Sequence, residues 1–206
     1  MVITVDGPAA CGKGTIARAL AAHYGLPHMD TGLLYRSVAL NLLRWGGDPG
    51  HELDAVRAAH SPLPPPDDPE LRSELVGEVA SRLSAFPVVR AALLDRQRAF
   101  AGQRGGAVLD GRDTGTVIAP KATAKLFVTA SPEIRAARRT AELAAQAKPV
   151  RLADVLTDIR ARDARDEGRD AAPLLRADDA ALLDTGDLTV EQAIARAIAI
   201  VDARRR

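Results

Sequence analysis

Gly7-Pro8-Ala9-Ala10-Cys11-Gly12-Lys13-Gly14-Thr15 combines two bounding glycines, a lysine and a hydroxyl, the residue types that cradle a phosphate. Backbone N–H groups in such a loop form an anion site with the N-terminus of the following helix, and Lys13 adds a mobile positive charge. Gly14 stands where a hydroxyl usually follows the lysine, with Thr15 one position later, so the usual direct magnesium ligand is missing. A second group, Asp110-Gly111-Arg112-Asp113, offers a guanidinium to neutralise phosphoryl charge and a carboxylate to accept from an exocyclic amine or ribose hydroxyl. A third, Arg162-Asp163-Ala164-Arg165-Asp166 with Arg169 beyond, sets arginines at i, i+3 and i+7 on one helical face. On spacing alone, two readings of that run stand side by side: a solvated ladder of helix pairs, and a set of site residues.

Asp30-Thr31-Gly32 and Asp184-Thr185-Gly186 raise a different chemistry, that of paired aspartic-protease loops whose carboxylates share a proton. Such a protein is built mostly of strands. Helical periodicity dominates here, and aromatic residues make up only 3% of the chain, so phosphate binding is the stronger reading.

These groups need elements to hold them. Val2–Val5 reads as a buried strand entering the loop and Ile16–Tyr24 as the helix leaving it. Residues 25–30 form a short extended piece, and Leu33–Trp45 a helix with Leu34, Val38, Leu42 and Trp45 on one stripe. Turn residues 46–50 end it, and the proline cluster of 61–69 predicts a linker or extended cover after a short helical fragment. Helices are expected over Glu70–Ala85, broken by Phe86-Pro87, and over Val88–Ala101. Strands at Ala107–Asp110, Lys125–Val128 and Leu182–Asp184 alternate with helices from Glu133 to about Ala147, Leu152–Glu167 and Val190–Ala203. Short, continuously apolar strands between helices predict a three-layer α/β sandwich with a parallel five-stranded sheet. Ligands of such sheets bind beyond the carboxyl ends of the strands, where both the loop and Asp110–Asp113 fall.

With 206 residues the chain suffices for one domain with a substantial core. A net charge of +1 gives no global field of the kind that marks nucleic-acid or membrane binders. Only four of the 28 basic residues are lysines, and the arginine forks that remain suit phosphate-rich sites as well as a plain compositional bias. Cys11, the only cysteine, rules out an internal disulfide and reads as a small filler in the loop. No basic leader precedes the first apolar run and no apolar stretch reaches membrane-spanning length, so the expectation is a soluble, cytoplasmic protein.

GxxxxGKGT resembles the loop of nucleoside monophosphate kinases. The chain adds, in order, Asp30-Thr31-Gly32-Leu33-Leu34-Tyr35-Arg36, the stretch Val79–Arg90, Leu109–Val117 with DGRDxGTV, and the Arg162–Asp166 run with Arg169. Together they resemble bacterial-type cytidylate kinases over essentially the whole chain. The resemblance implies ATP-dependent phosphorylation of CMP and dCMP with Mg2+, by a monomer with no nucleic-acid or membrane partner. It implies a core of residues 1–31 and 106–206, an acceptor-binding region of about 32–105 and a lid of about 139–152. By position, it places Thr31 and Arg36 at the acceptor nucleotide, Arg36 on its phosphate. Ser81 and Asp113 would read the cytosine edge, with Arg90 and Arg112 nearby. Arg162 and Arg169 would reach the phosphates being joined, Asp166 the sugar, and Arg135 and Arg139 the ATP side. Arg165 stays open between ladder and site. The chain departs from many such kinases in having only residues 46–70 where they carry a stranded insertion. Either a shorter insert still closes over CMP or acceptor selectivity is looser; Thr31, Ser81 and Asp113 favour the first. Rivals are a kinase of another small acceptor, such as shikimate or gluconate, and a non-catalytic ATP-binding switch.

Overall fold

The computed structural model describes residues 1–147 and 150–205. Its centre is one parallel sheet in which β1 (Val2–Asp6) lies between β3 (Ala107–Gly111) and β4 (Ala124–Thr129). The edges are β2 (His28–Asp30) and β5 (Ala181–Asp184), giving the order β2-β3-β1-β4-β5. The strands are apolar on both sides because helices cover both. Ile3, Val5, Val108, Leu126 and Val128 face α1 (Lys13–Tyr24) and α8 (Val190–Arg204). Ala107 and Leu109 face the other way, toward the end of α5 (Pro87–Ala101) at Ala101.

A second core lies beside the sheet. Tyr35, Val38 and Leu42 of α2 (Thr31–Trp45) pack with Ala55, Ala58 and Ala59 of α3 (Glu52–His60), with Val76, Val79 and Leu83 of α4 (Glu74–Leu83), and with Val89 and Leu93 of α5. Residues 46–70 therefore hold α3 and an extended proline segment, whose Leu63 packs against this core, and contain no strand. α6 (Pro132–Ala145) and α7 (Leu152–Gly168) form a hairpin joined through Ala136, Leu143, Val155 and Ile159. Of the lid expected at about 139–152, residues 148 and 149 lie outside the described residues.

Two expectations are corrected, and one turn is added that the sequence reading did not include. The helix read over Glu70–Ala85 is two pieces, a 3-10 turn at Pro69–Arg72 and α4, because Ser73 adopts an extended conformation and caps the Val76 N–H. Trp45 does not join the buried stripe of α2; it is half-exposed, with the Arg57 guanidinium 4.3 Å over its ring. Thr114–Ile118 is one turn of π-helix, nucleated by Asp6, whose carboxylate accepts from Thr114 N, Thr114 Oγ1 and Gly115 N at 2.7–2.9 Å.

Candidate active site

The phosphate loop turns at Gly12, where φ is 90°, and passes through Ala10 at φ 59°, a left-handed conformation that costs about 1–2 kcal/mol at a non-glycine residue. Tertiary bonds offset that strain. Arg135 Nη1 donates to Ala9 O at 3.2 Å and Thr185 Oγ1 to Cys11 O at 3.1 Å. Arg135 is itself locked by two bonds to the Asp163 carboxylate, 3.0 and 2.6 Å long, and by Nε to Ala130 O at 2.9 Å. Cys11 is buried in the core, a packing role. Lys13, the first residue of α1, sends Nζ back to Pro8 O at 3.4 Å. Burial, then the neighbouring Arg112 guanidinium, hold its ammonium below the usual lysine range.

The two Asp-Thr-Gly triplets end β2 and β5, the opposite edges of the sheet. Four inter-strand spacings of roughly 4.8 Å separate them, too far to share a proton. Their threonines explain the repeat instead. Thr31 Oγ1 donates to Asp110 O at 2.9 Å, and Thr185 Oγ1 lies 3.1 Å from the carbonyls of Cys11 and Thr129. Asp30 caps α2 through the Leu33 N–H at 3.1 Å.

Beside the loop opens a cleft of about 770 Å³, running from Ala9 and Ala10 past Arg36 to Arg139 and the N-terminal half of α7. Arg36 is aimed by bonds from Nη1 to Leu71 O (2.8 Å) and Ser73 O (3.1 Å), and burial lowers its pKa. α4 can pass so close only because residue 77 is glycine, since a Cβ there would lie 2.5 Å from Arg36 Nη2. Arg139 pairs with Glu142 at 2.8 Å and, across the cleft, with Glu74.

A second, smaller cavity of about 50 Å³ lies between α2, α4, β3 and α7, lined by Thr31, Ser81, Asp113, Arg90, Arg112, Arg162, Asp166 and Arg169 among others. Eight of the nine acceptor-side residues named from sequence, all but Arg36, thus come together in one place. Arg90 pairs with Asp113 and sits 5.6 Å over the Tyr35 ring. Arg112 Nε donates to Asp166 Oδ2 at 2.7 Å. Burial opposes both charges, yet each partner prevails: Arg112 stays above its ordinary pKa and Asp166 below its own.

Arg162 is the one described residue that lines both spaces. Burial, reinforced by Arg112, lowers its pKa to about 10, and its Nε is buried without a hydrogen-bond partner. Arg169 resembles it: burial, then Arg90, lower its pKa, Nη2 has no partner, and Nε is spent on Ala172 O at 2.8 Å. Buried guanidinium donors left open in this way fit an anionic ligand.

The helix-ladder reading of α7 does not hold, because its carboxylates leave the helix. Asp163 goes to Arg135 and Asp166 to Arg112, and only Arg169 reaches Asp166 locally, at 3.6 Å. Arg135 faces Ala9 and Asp163 and lines neither cavity, in contrast to Arg139. Sequence reasoning missed several residues. Asp6 precedes the loop directly, which was a usable signal. Ser84, which takes Arg169 Nη1 at 3.4 Å, lies one turn beyond Ser81 on the same helix face. Asp110, bound by His28 Nε2 at 2.6 Å, and Asp163 fall inside groups named from sequence, but nothing there signalled their partners, which lie far off in the chain.

A parallel sheet, a phosphate loop at the end of its first strand, and two cavities sharing a cationic wall define the class of a phosphate-loop kinase. Two solved structures share the fold: an uncharacterized protein from Eubacterium ventriosum (16% identity, TM-score 0.60, 98% of both chains) and a protein from Thermus thermophilus (20%, TM-score 0.51, 100% of this chain and 98% of that one). The family model described as cytidylate kinase matches residues 3–62 and 66–203. Curated relatives include the cytidylate kinase of Xanthobacter autotrophicus, 60% identical over 100% of this chain and 99% of its own. The cytidylate kinase of Methylocella silvestris is 56% identical over 98% and 94%. The chain belongs to the cytidylate kinase family.

Proposed function

We propose that the small cavity takes the base end of the acceptor nucleotide, whose phosphate reaches Arg36 in the cleft, that the phosphate loop and the adjoining end of the cleft take ATP, and that the phosphoryl group passes beside Arg162. The overall reaction is the ATP-dependent phosphorylation of CMP and dCMP, a nucleoside monophosphate kinase activity. The observation that carries the site assignment is the position of Arg162, shared by both spaces with a buried, unfilled donor.

The acceptor is a phosphate whose second pKa is ~6, so at pH 7 its attacking oxygen is already ionised and no general base is required. The attacking oxygen bonds to the γ-phosphorus of ATP in line as the bond to the β-phosphate oxygen breaks, and ADP leaves. The chain's part is to hold two polyanions together and to offset charge on the transferring group. Arg36 holds the acceptor phosphate, Lys13 the donor phosphates, and Arg112, Arg162 and Arg169 the group in transit. Arg90, Ser81 and Asp113 hold the base, Thr31 and Asp166 the rest of the acceptor nucleotide, and Arg139 the donor side. Arg135 contributes by fixing the Ala9 carbonyl.

Mg2+ fits this site as a guest of the nucleotide phosphates. Residue 14 offers no hydroxyl, and no cluster of His, Cys, Asp or Glu among the described residues forms a cage. The nearest carboxylate is Asp110, whose Oδ2 is 3.6 Å from where a Cβ of residue 14 would stand. Bound with ATP, the ion would neutralise phosphate charge, and Asp110 is the carboxylate that could hold its waters. We read the protein as a monomer with the core, acceptor region and lid given above, acting in the cytoplasm. No helix among the described residues is long and apolar enough to cross a membrane.

A coupled assay of ADP release with CMP, dCMP, UMP, AMP and GMP tests the reading. CMP and dCMP are expected to be the fastest acceptors; a faster rate with AMP or GMP overturns it. ATP binding without acceptor-dependent turnover would show a nucleotide switch instead.

A further inference from the structure

Arg165 is exposed on α7 and lines neither cavity, yet its Nε donates to Ser81 Oγ at 3.3 Å. Ser81 is 5% exposed and does line the small cavity. A guanidinium has donors only, so in this bond the Ser81 oxygen can only accept. The single hydroxyl hydrogen is thereby pushed to another direction. Among the described residues no protein group accepts it; the neighbouring Ser84 Oγ donates to the Ser81 backbone carbonyl at 2.8 Å and makes no claim on the hydroxyl. The open direction is the cavity, which Asp113 also lines, with Arg90 on its Oδ2. An ionised carboxylate only accepts. The cavity thus presents one favoured donor, the Ser81 O–H, and one acceptor, Asp113.

We propose that Arg165 is a positioning residue that fixes the polarity of the Ser81 hydroxyl and so sets discrimination between amino- and oxo-pyrimidine acceptors. The inference rests on the reading that the small cavity holds the acceptor base. A 4-amino-pyrimidine offers an acceptor ring nitrogen beside a donor amine, the complement of Ser81 and Asp113. A 4-oxo-pyrimidine reverses both, with a ring N–H beside a carbonyl. A serine hydroxyl free to rotate would serve either ring, accepting from one and donating to the other. With Arg165 on one lone pair, turning the other toward the cavity would leave the hydroxyl hydrogen buried with no protein acceptor among the described residues, so the first ring is favoured. Leaving buried polar groups unpaired is how sites reject an analogue of nearly the same shape.

The test is a double-mutant cycle on the ratio of kcat/KM for CMP to that for UMP, with Arg165→Met, Ser81→Ala and the double variant. Arg165→Met should lower the ratio about ten-fold, the scale of one charge-assisted hydrogen bond, chiefly through the KM for CMP and the gain with UMP. The KM for ATP and the melting temperature should stay close to those of the unaltered enzyme, since Arg165 is exposed. In the Ser81→Ala background the same substitution should change the ratio no further. Arg165→Gln, whose amide can also accept, should behave like Arg165→Met. An unchanged ratio overturns the proposal, whether or not stability falls, and so does an effect that persists without the Ser81 hydroxyl. If the unaltered enzyme prefers a purine acceptor, the parent reading fails first, and the inference falls with it, before any variant is made.

Discussion

The base end of the small cavity and its junction with the cleft are only a few side chains apart, yet their charges are handled in opposite ways. At the base end the ions have their partner in place, Arg90 with Asp113, and Tyr35 lies under Arg90. At the junction Arg162 and Arg169 keep unfilled buried donors, and Arg162, Arg169 and Lys13 all have pKa values lowered by burial and by neighbouring cations. A pre-paired site is rigid and reads shape and hydrogen-bond polarity. An under-compensated site stores positive charge for a ligand that brings negative charge, and its stabilisation is greatest when that charge peaks in transit. On the proposed reading, specificity and catalysis are thus built into neighbouring but separate groups.

The largest effect should come from breaking the junction. Arg162→Met removes a cationic contact to the group in transit, so the rate of transfer should fall on the order of 100-fold or more, measured by rapid quench at saturating substrates. A loss confined to KM would move Arg162 from the reaction to simple binding.

Next in size is the support behind the loop. Arg135→Met leaves the mostly buried Asp163 side chain without its partner and frees the Ala9 carbonyl. Removing one side of a buried pair costs about 3–5 kcal/mol, so melting should drop by roughly 6–20 °C in a domain of this size. Calorimetry reads this directly, and an unchanged melting temperature would mean that the Arg135–Asp163 bond adds nothing to stability.

The smallest effect concerns Asp6, which joins the two regions by holding the turn after Asp113. Burial raises its carboxyl from 3.8 to about 6 against the opposing bonds from Gly115 and Thr114. The folded protein therefore binds the proton more tightly than the unfolded chain between those values, and the group's contribution is lost as pH rises through about 6. Relative to Asp6→Asn, the unaltered protein should lose about 2 kcal/mol of stability between pH 4 and pH 6, seen in denaturant titrations. Parallel pH curves for the two would place the Asp6 pKa near its ordinary value.

How far the sequence shows this arrangement depends on how local each signal is. The central strands were legible because they are mostly apolar, and helix starts at Ser131 and Thr189 because a cap needs only residues three positions apart. The loop and the Arg162–Arg169 run were legible for the same reason. The break at Ser73 hid inside a helical period, since capping depends on backbone conformation that composition does not show. The ladder reading of α7 failed because the true partners, Arg112 and Arg135, arrive from β3 and α6. The paired Asp-Thr-Gly triplets misdirected for a related reason: each threonine holds a distant carbonyl, and nothing in the triplet tells which. Arg165 is an intermediate case, placed correctly on its helix face but without a role until Ser81 is seen beside it.

The most direct test of the division between reading and transfer is to measure, in the same two variants, the dissociation constant for CMP by calorimetry and the single-turnover rate with ATP. Asp113→Asn should weaken CMP and erode its advantage over UMP while transfer from the bound complex stays within a few-fold. Arg162→Met should do the reverse, with transfer falling far more than CMP affinity. If both variants lose affinity and rate in the same proportion, the two regions act as one and the account of separate roles is wrong.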